Sequence, residues 1–285
     1  MNPAMNPIES LLETADGLRL RCLRWSPTTA PTAVIVVTHG MGEHAGRYQR
    51  FAERCMALGL GVVAADLRGH GKSPGEQEFV ERFDDYLNDL DALFALAHAD
   101  ARAAKAPMFL FGHSMGGAIV LRWLNQRPTQ AANLAGVMLS SAALQVGAGI
   151  SPLLLVLAPL ISKIAPRLRT QPLDPASMSR IADEVMAYVN DPLVCHRPPP
   201  ARTAAELLNV MPLNLKAASD MRWPLYVLHG DADALTSVDG ARAVHAAWAG
   251  ADKTLRIWPG GYHELLNDLD GELVAEELLA WVLKH

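Results

Sequence analysis

Gly112, His113, Ser114, Met115 and Gly116 spell G-x-S-x-G between an apolar run, MFLFGHS at 108 to 114, and a helical segment, AIVLRWLNQR. A serine at such a strand-to-helix turn has its hydroxyl lifted clear of the strand end. Small neighbours are needed there because the backbone is strained and closely approached. A serine hydroxyl is a poor nucleophile at neutral pH until a base takes its proton, and the base needs a carboxylate to fix its tautomer. In proteins carrying this turn the chain order is serine, acid, histidine, each following a later strand. After the apolar run LYVLHGD at 225 to 231 come Asp231, Asp233 and Asp239 as candidate acids. After TLRIWPG at 254 to 260 comes His263, in the glycine-rich loop GGYHELL. His229 lies within a buried strand pattern, His245 falls mid-helix and His285 is terminal, so His263 is the candidate base.

Negative charge developing on a substrate carbonyl oxygen requires two backbone N–H donors. Met115, directly after the serine, supplies one. The other is expected from THGMG at 38 to 42, where Gly40 and Gly42 let the chain turn and Met41 presents its N–H. The chemistry is acyl transfer through a covalent serine intermediate. It calls for no metal and no organic cofactor. An aspartate in place of Ser114 would instead point to dehalogenase or epoxide hydrolase chemistry.

These residues must be held by a scaffold. Apolar, β-branched runs at 33 to 40, 60 to 67, 108 to 114, 134 to 141, 225 to 231 and 254 to 260 read as strands buried on both faces of a parallel sheet. They alternate with amphipathic stretches such as 81 to 99, where Phe83, Tyr86, Leu87, Leu90, Phe94 and Ala97 recur at helical spacing. The fold class is therefore α/β, with right-handed crossovers and helices on both faces. LRLRCLRW at 18 to 25 alternates strictly and predicts a half-exposed antiparallel edge strand. Residues 1 to about 8 are expected to fray. Between 145 and 217 the alternation breaks into helical stretches and prolines, which predicts a helical cap inserted between core segments 1–144 and 218–285. Thr203 and Glu206 have capping-box spacing at the start of one cap helix. Asp84, Asp85, Asp89 and Asp91 read as a solvated helix face rather than a metal cluster.

A chain of 285 residues, half of them hydrophobic, can bury a large core. A net charge of −5 without a long basic run argues against nucleic acid as a partner. Three scattered cysteines, Cys22, Cys55 and Cys195, suggest neither a disulfide framework nor a zinc site, and a reducing cytoplasm fits them. The N-terminal MNPAMNPIESLLETADG has no basic segment followed by an apolar one, so neither a secretion signal nor an anchor is expected.

HGMGEHAGRY at 39 to 48, DLRGHGKSPG at 66 to 75, GHSMGG at 112 to 117, NDPLVC at 190 to 195 and HGDAD at 229 to 233 together resemble the monoglyceride lipase and lysophospholipase group of α/β-hydrolases. The resemblance runs from about residue 10 to the C-terminus and is weakest in the cap. It implies the α/β-hydrolase fold, Asp233 as the acid, His263 as the base, and Met41 and Met115 as oxyanion-hole donors. The place of Met41 is often alanine in that group, so its side chain is expected to reshape the pocket mouth. The resemblance also places Glu43 and Arg47 near the polar end of the pocket, as headgroup contacts or as an internal ion pair bracing the loop. Asp66, Arg68 and His70 read as scaffold. Cys195 matches a cysteine of that group's cap, either near the substrate path or, as the preferred reading, buried and unreactive.

Residues 128 to 162 carry no charged side chain, and VGAGISPLLLVLAPLIS within the cap is strongly apolar, yet it is too short and proline-broken to span a bilayer. The expected substrate is a single-chain lipid ester, foremost a monoacylglycerol, with peripheral contact between cap and membrane or micelle. A lysophospholipase or general carboxylesterase is the alternative, and a non-catalytic ligand-binding relative is disfavoured by the complete triad. Assembly is left open.

Overall fold

The computed structural model describes residues 6–285. The fraying expected at 1 to 8 lies, for residues 1–5, outside the described residues. Ile8 instead opens a strand, β1 (Ile8–Glu13). It is followed by β2 (Arg19–Trp25), β3 (Val34–Thr38), β4 (Gly61–Ala65), β5 (Met108–His113), β6 (Leu134–Ser140), β7 (Leu225–Gly230) and β8 (Lys253–Trp258). These form one eight-stranded sheet in the order β1-β2-β4-β3-β5-β6-β7-β8. β2 is antiparallel to both β1 and β4, and the remaining pairs are parallel.

Successive residues of a strand point to opposite faces, and the core divides accordingly. Val34 and Val36 of β3 and Leu110 of β5 join one apolar cluster. Ile35, Val37 and Phe111 join the other. The first cluster is covered by α2 (Asp85–Ala104), α3 (Met115–Gln126) and α7 (Val238–Ala247), the second by α1 (Gln49–Ala57) and α8 (Gly271–Val282). Between β6 and β7 the chain makes three further helices, α4 (Pro152–Ile164), α5 (Ala182–Asn190) and α6 (Ala201–Ala217).

Four expectations require correction. β2 is not the edge: β1, whose short apolar content buries little, pairs along it and takes that place. β8, expected to be buried on both faces, is the opposite edge, and only Trp258 in it is fully buried. Thr203 and Glu206 form no capping box, because α6 begins two residues earlier with Pro200 at its N-cap. Their side chains instead accept the main-chain N–H of Val80 (3.1 Å) and of Phe83 (2.8 Å), fixing the segment ahead of α2. Asp89 is not solvated. It is buried and accepts from the Arg68 main chain at 2.9 Å and from its guanidinium at 2.7 Å. Asp84 and Asp91 are half-buried and tie α2 to α3 through Arg122 and Trp123. Among the described residues no group of three or more His, Cys, Asp or Glu could hold a metal ion.

Candidate active site

The turn from β5 to α3 carries Ser114 with φ +52° and ψ −121°, a conformation that non-glycine residues rarely adopt and that stores on the order of 1–3 kcal/mol of strain. Neighbouring main chain holds it there: Ser114 N–H donates to Ser140 O at 3.0 Å, and Ala143 N–H donates to Ser114 O at 2.9 Å. The flanking glycines are required by contact. A Cβ on Gly116 would stand 2.0 Å from Thr38 O, and one on Gly112 would stand 2.7 Å from Gly116 O.

Asp233 follows β7 and His263 follows β8. His263 Nδ1 lies 2.7 Å from Asp233 Oδ2. With Nδ1–H donating to the carboxylate, Nε2 is left as the basic nitrogen. Asp231, the competing acid, accepts Gly260 N–H at 2.6 Å and is exposed. Asp239 is a surface residue paired with Arg242. The Asp233 side chain is fully buried, and its Oδ1 accepts the N–H groups of Leu235 (2.8 Å) and Thr236 (3.1 Å). Burial works against its charge, yet His263 and His229 hold the carboxyl well below the ordinary carboxylate range. Burial likewise pushes the His263 imidazole down, but Asp233 outweighs it and lifts the ring above the usual histidine value. The pair is poised to take up a proton.

Two histidines to which the sequence assigned no role, one of them set aside there, belong to this site. His229 is fully buried in β7 with Nε2 3.3 Å from Asp233 Oδ2 and 3.1 Å from Thr236 O, so the carboxylate faces two imidazoles. His113 packs its ring against His263 with centroids 4.8 Å apart, and burial holds it down at about 4, so it faces that imidazole uncharged near neutral pH. The clue for His229 was its place four residues ahead of Asp233 at the end of a strand. The His263 loop is also pinned from behind: Ser141 Oγ donates to His263 O at 2.7 Å, and Glu264 N–H donates to Met178 O at 2.9 Å.

The main-chain N–H groups of Met41 and Met115 donate to no protein acceptor among the described residues. The turn before Met41 is close enough to Ser114 that a Cβ on Gly40 would lie 3.1 Å from Ser114 Cβ. Ser114, His263, Met41 and Met115 all line one cavity of about 1000 Å³, its open mouth included. Apolar side chains dominate its walls, among them Ile150, Leu155, Leu207, Leu208 and Met211. Glu43 lines it and also a neighbouring cavity of about 860 Å³, open mouth included, which Arg47 lines as well. Glu43 accepts Gly40 N–H at 2.6 Å and Tyr48 O–H at 3.0 Å.

Cys195 does not line the Ser114 cavity. Its Sγ donates to Glu78 at 3.1 Å, and burial with that carboxylate pushes the thiol up to about 11. Asp66, Arg68 and His70 act in the scaffold. Asp66 accepts Ala45 and Lys72 N–H at 2.8 and 2.9 Å, and His70 is buried and held down at about 3 by its burial. No helix among the described residues is long and apolar enough to cross a membrane.

The family described as serine aminopeptidase, S33, matches residues 29–270. The chain is 35% identical to the monoacylglycerol lipase of Mycolicibacterium smegmatis over 94% of both chains. It is 35% identical to human monoglyceride lipase over 98% of this chain and 92% of that protein. The crystal structure of the Paleococcus ferrophilus monoacylglycerol lipase superposes with a TM-score of 0.82 at 31% identity, covering 93% of this chain and 99% of that one. With an α/β-hydrolase sheet, a serine at its strained turn and a histidine paired to a buried carboxylate, the chain belongs to the serine aminopeptidase, S33, family of hydrolases.

Proposed function

We propose that the protein hydrolyses monoacylglycerols to fatty acid and glycerol, with Ser114 as nucleophile, His263 as general base and Asp233 as its orienting carboxylate. Ser114 Oγ attacks the ester carbonyl carbon while His263 Nε2 takes its proton. The oxyanion is held by the N–H groups of Met41 and Met115. His263 then passes the proton to the departing glycerol oxygen, leaving an acyl-serine. Water, deprotonated by the same imidazole, attacks the acyl carbon and releases the fatty acid and Ser114.

The observation that carries this reading is one cavity, lined by both Ser114 and His263, that continues along an apolar wall. An aliphatic chain laid along that wall leaves water, and each buried methylene contributes about 0.8 kcal/mol. The relatives named above, monoacylglycerol and monoglyceride lipases, support the substrate class. Residues 145–217 serve as a cap between core segments 1–144 and 218–285. Glu43 and Arg47 brace the loop beside the polar end of the cavity. Capture of a free α-amino group, as an aminopeptidase requires, would need an unengaged carboxylate, but Glu43 and Glu264 both pair with Arg47. α4 exposes Leu153, Val156, Leu160 and Ile164, a stripe suited to peripheral contact with a lipid surface.

The test is fatty-acid release from a long-chain monoacylglycerol, a short-chain glycerol ester and a lysophospholipid, by the wild type and Ser114→Ala. Preference for the long monoacylglycerol, lost by at least about a thousandfold in the variant, is expected. Serine-dependent turnover confined to the short ester or lysophospholipid would reject the substrate assignment. Turnover unchanged in Ser114→Ala would reject the mechanism.

A further inference from the structure

Glu264 stands one residue past His263 and has no part in the chemistry above. Its side chain is buried, and both carboxylate oxygens meet the Arg47 guanidinium, with Oε2 2.7 Å from Nη2 and Oε1 against Nη1. Asn267 Nδ2 steadies Oε2 at 2.9 Å. The same Arg47 Nη1 lies 3.3 Å from Glu43 Oε2. Glu43 in turn holds Gly40 N–H at 2.6 Å, on the peptide just ahead of Met41. An unbroken chain of contacts therefore runs from the residue after the base to the turn that carries one oxyanion donor. These two loops leave different strands, β8 and β3, and Arg47 is the cation standing between their two buried carboxylates.

We propose that Glu264 is a positioning residue that, through Arg47 and Glu43, locks the His263 loop to the Gly40–Met41 turn so that base and oxyanion donor keep one register about Ser114. This rests on the triad reading given above. A bidentate guanidinium–carboxylate pair fixes direction as well as distance, and when buried it is screened much less by salt than a surface pair. Catalysis is steep in such geometry, since a displacement of about 1 Å costs on the order of a hundredfold.

The clamp also bears on the charge of the base. His263 is faced by Asp233 and His229 from the β7 end, His113 from β5, Glu43 from the loop after β3 and Glu264 from its own loop. Burial pushes the imidazole down, and Asp233, then Glu264 and Glu43, lift it. His263 acts as base only when neutral, so activity rises with pH through its titration. Removing the charge of Glu264 must move that acid limb to lower pH.

The experiment compares wild type, Glu264→Gln, Arg47→Met, the double variant and Ser114→Ala on a soluble monomeric ester, together with the rate at which a fluorophosphonate labels Ser114. Glu264→Gln is expected to lower kcat by about ten- to a hundredfold with KM changed less than about threefold, to slow labelling in parallel, and to shift the acid limb of kcat/KM downward. Arg47→Met should lose at least as much, with the double variant no worse, because the three side chains act as one network. Should Arg47→Met not fold, Arg47→Lys keeps the charge without the fork and should lose kcat in the same way. An unchanged kcat with an unmoved acid limb in Glu264→Gln, or a rise in KM alone, overturns the clamp. Turnover that persists in Ser114→Ala would bring down the triad reading and the clamp with it, whereas Ser114-dependent turnover indifferent to Glu264→Gln brings down the clamp alone.

Discussion

Two helices of the segment between β6 and β7 border the same cavity and are built to different ends. Both α4 and α6 carry an internal proline, Pro159 and Pro212, and both turn apolar side chains to the cavity. α6 reads ARTAAELLNVMPLNLKA, with charge at Arg202, Glu206 and Lys216 and a buried face of Val210, Met211, Asn214 and Ala217. Asn214 Nδ2 donates to Ala118 O at 2.9 Å, binding α6 to the helix that begins just after Ser114. α4 reads PLLLVLAPLISKI, with a single charge at Lys163. A helix apolar on every side cannot bury every side at a protein surface. Its surplus shows at Leu153 (67% exposed), Val156 (77%) and Ile164 (75%). One helix thus belongs energetically to the core, while the other turns an apolar face outward.

The sharpest way to break this contrast is to place a charge on each helix. Val210→Asp puts an unpaired carboxylate among α6, α3 and the sheet, and should lower stability by about 4 kcal/mol, read from the urea midpoint at constant slope. A loss below about 1 kcal/mol would mean that α6 swings free of the core. A smaller effect tests how α6 grips the loop ahead of α2. Thr203→Val keeps the shape but strands the buried N–H of Val80, and should cost about 2 kcal/mol with kcat unaltered. A change in kcat without a change in stability would show that this grip serves the site rather than the fold.

The same contrast explains what was legible in the sequence. The central strands announced themselves because burial on both faces demands unbroken apolar runs, and the Ser114 turn because strain and close approach leave few residue choices. β1 was missed because an edge strand with little to bury carries little pattern. Thr203 and Glu206 were misread because capping spacing is a local signal, while their partners, Val80 and Phe83, lie 123 residues away. Asp89 and His229 fail in the same manner. A charge on a helix reads as solvated, and a histidine in a buried strand reads as core, until tertiary contact brings Arg68 to the one and Asp233 to the other. Periodicity reports which side of an element is wet. It does not report which distant polar group awaits a buried one.

The least perturbing test falls on α4. Val156→Ser and Leu160→Ser replace side chains that are 77% and 56% exposed, so stability should change by less than about 0.5 kcal/mol each. If the stripe enters a lipid surface, each side chain forfeits part of the ~1.5–3 kcal/mol gained by burying it, and activity toward monoacylglycerol in vesicles should fall by about tenfold per substitution. Hydrolysis of a soluble short-chain ester by the same variants should hold, because the Ser114 turn and the His263 loop are anchored to β6 and to Met178 rather than to α4. Equal loss on both substrates would mean that α4 shapes the cavity instead of the approach to it, and the division between an inner and an outer helix would fall.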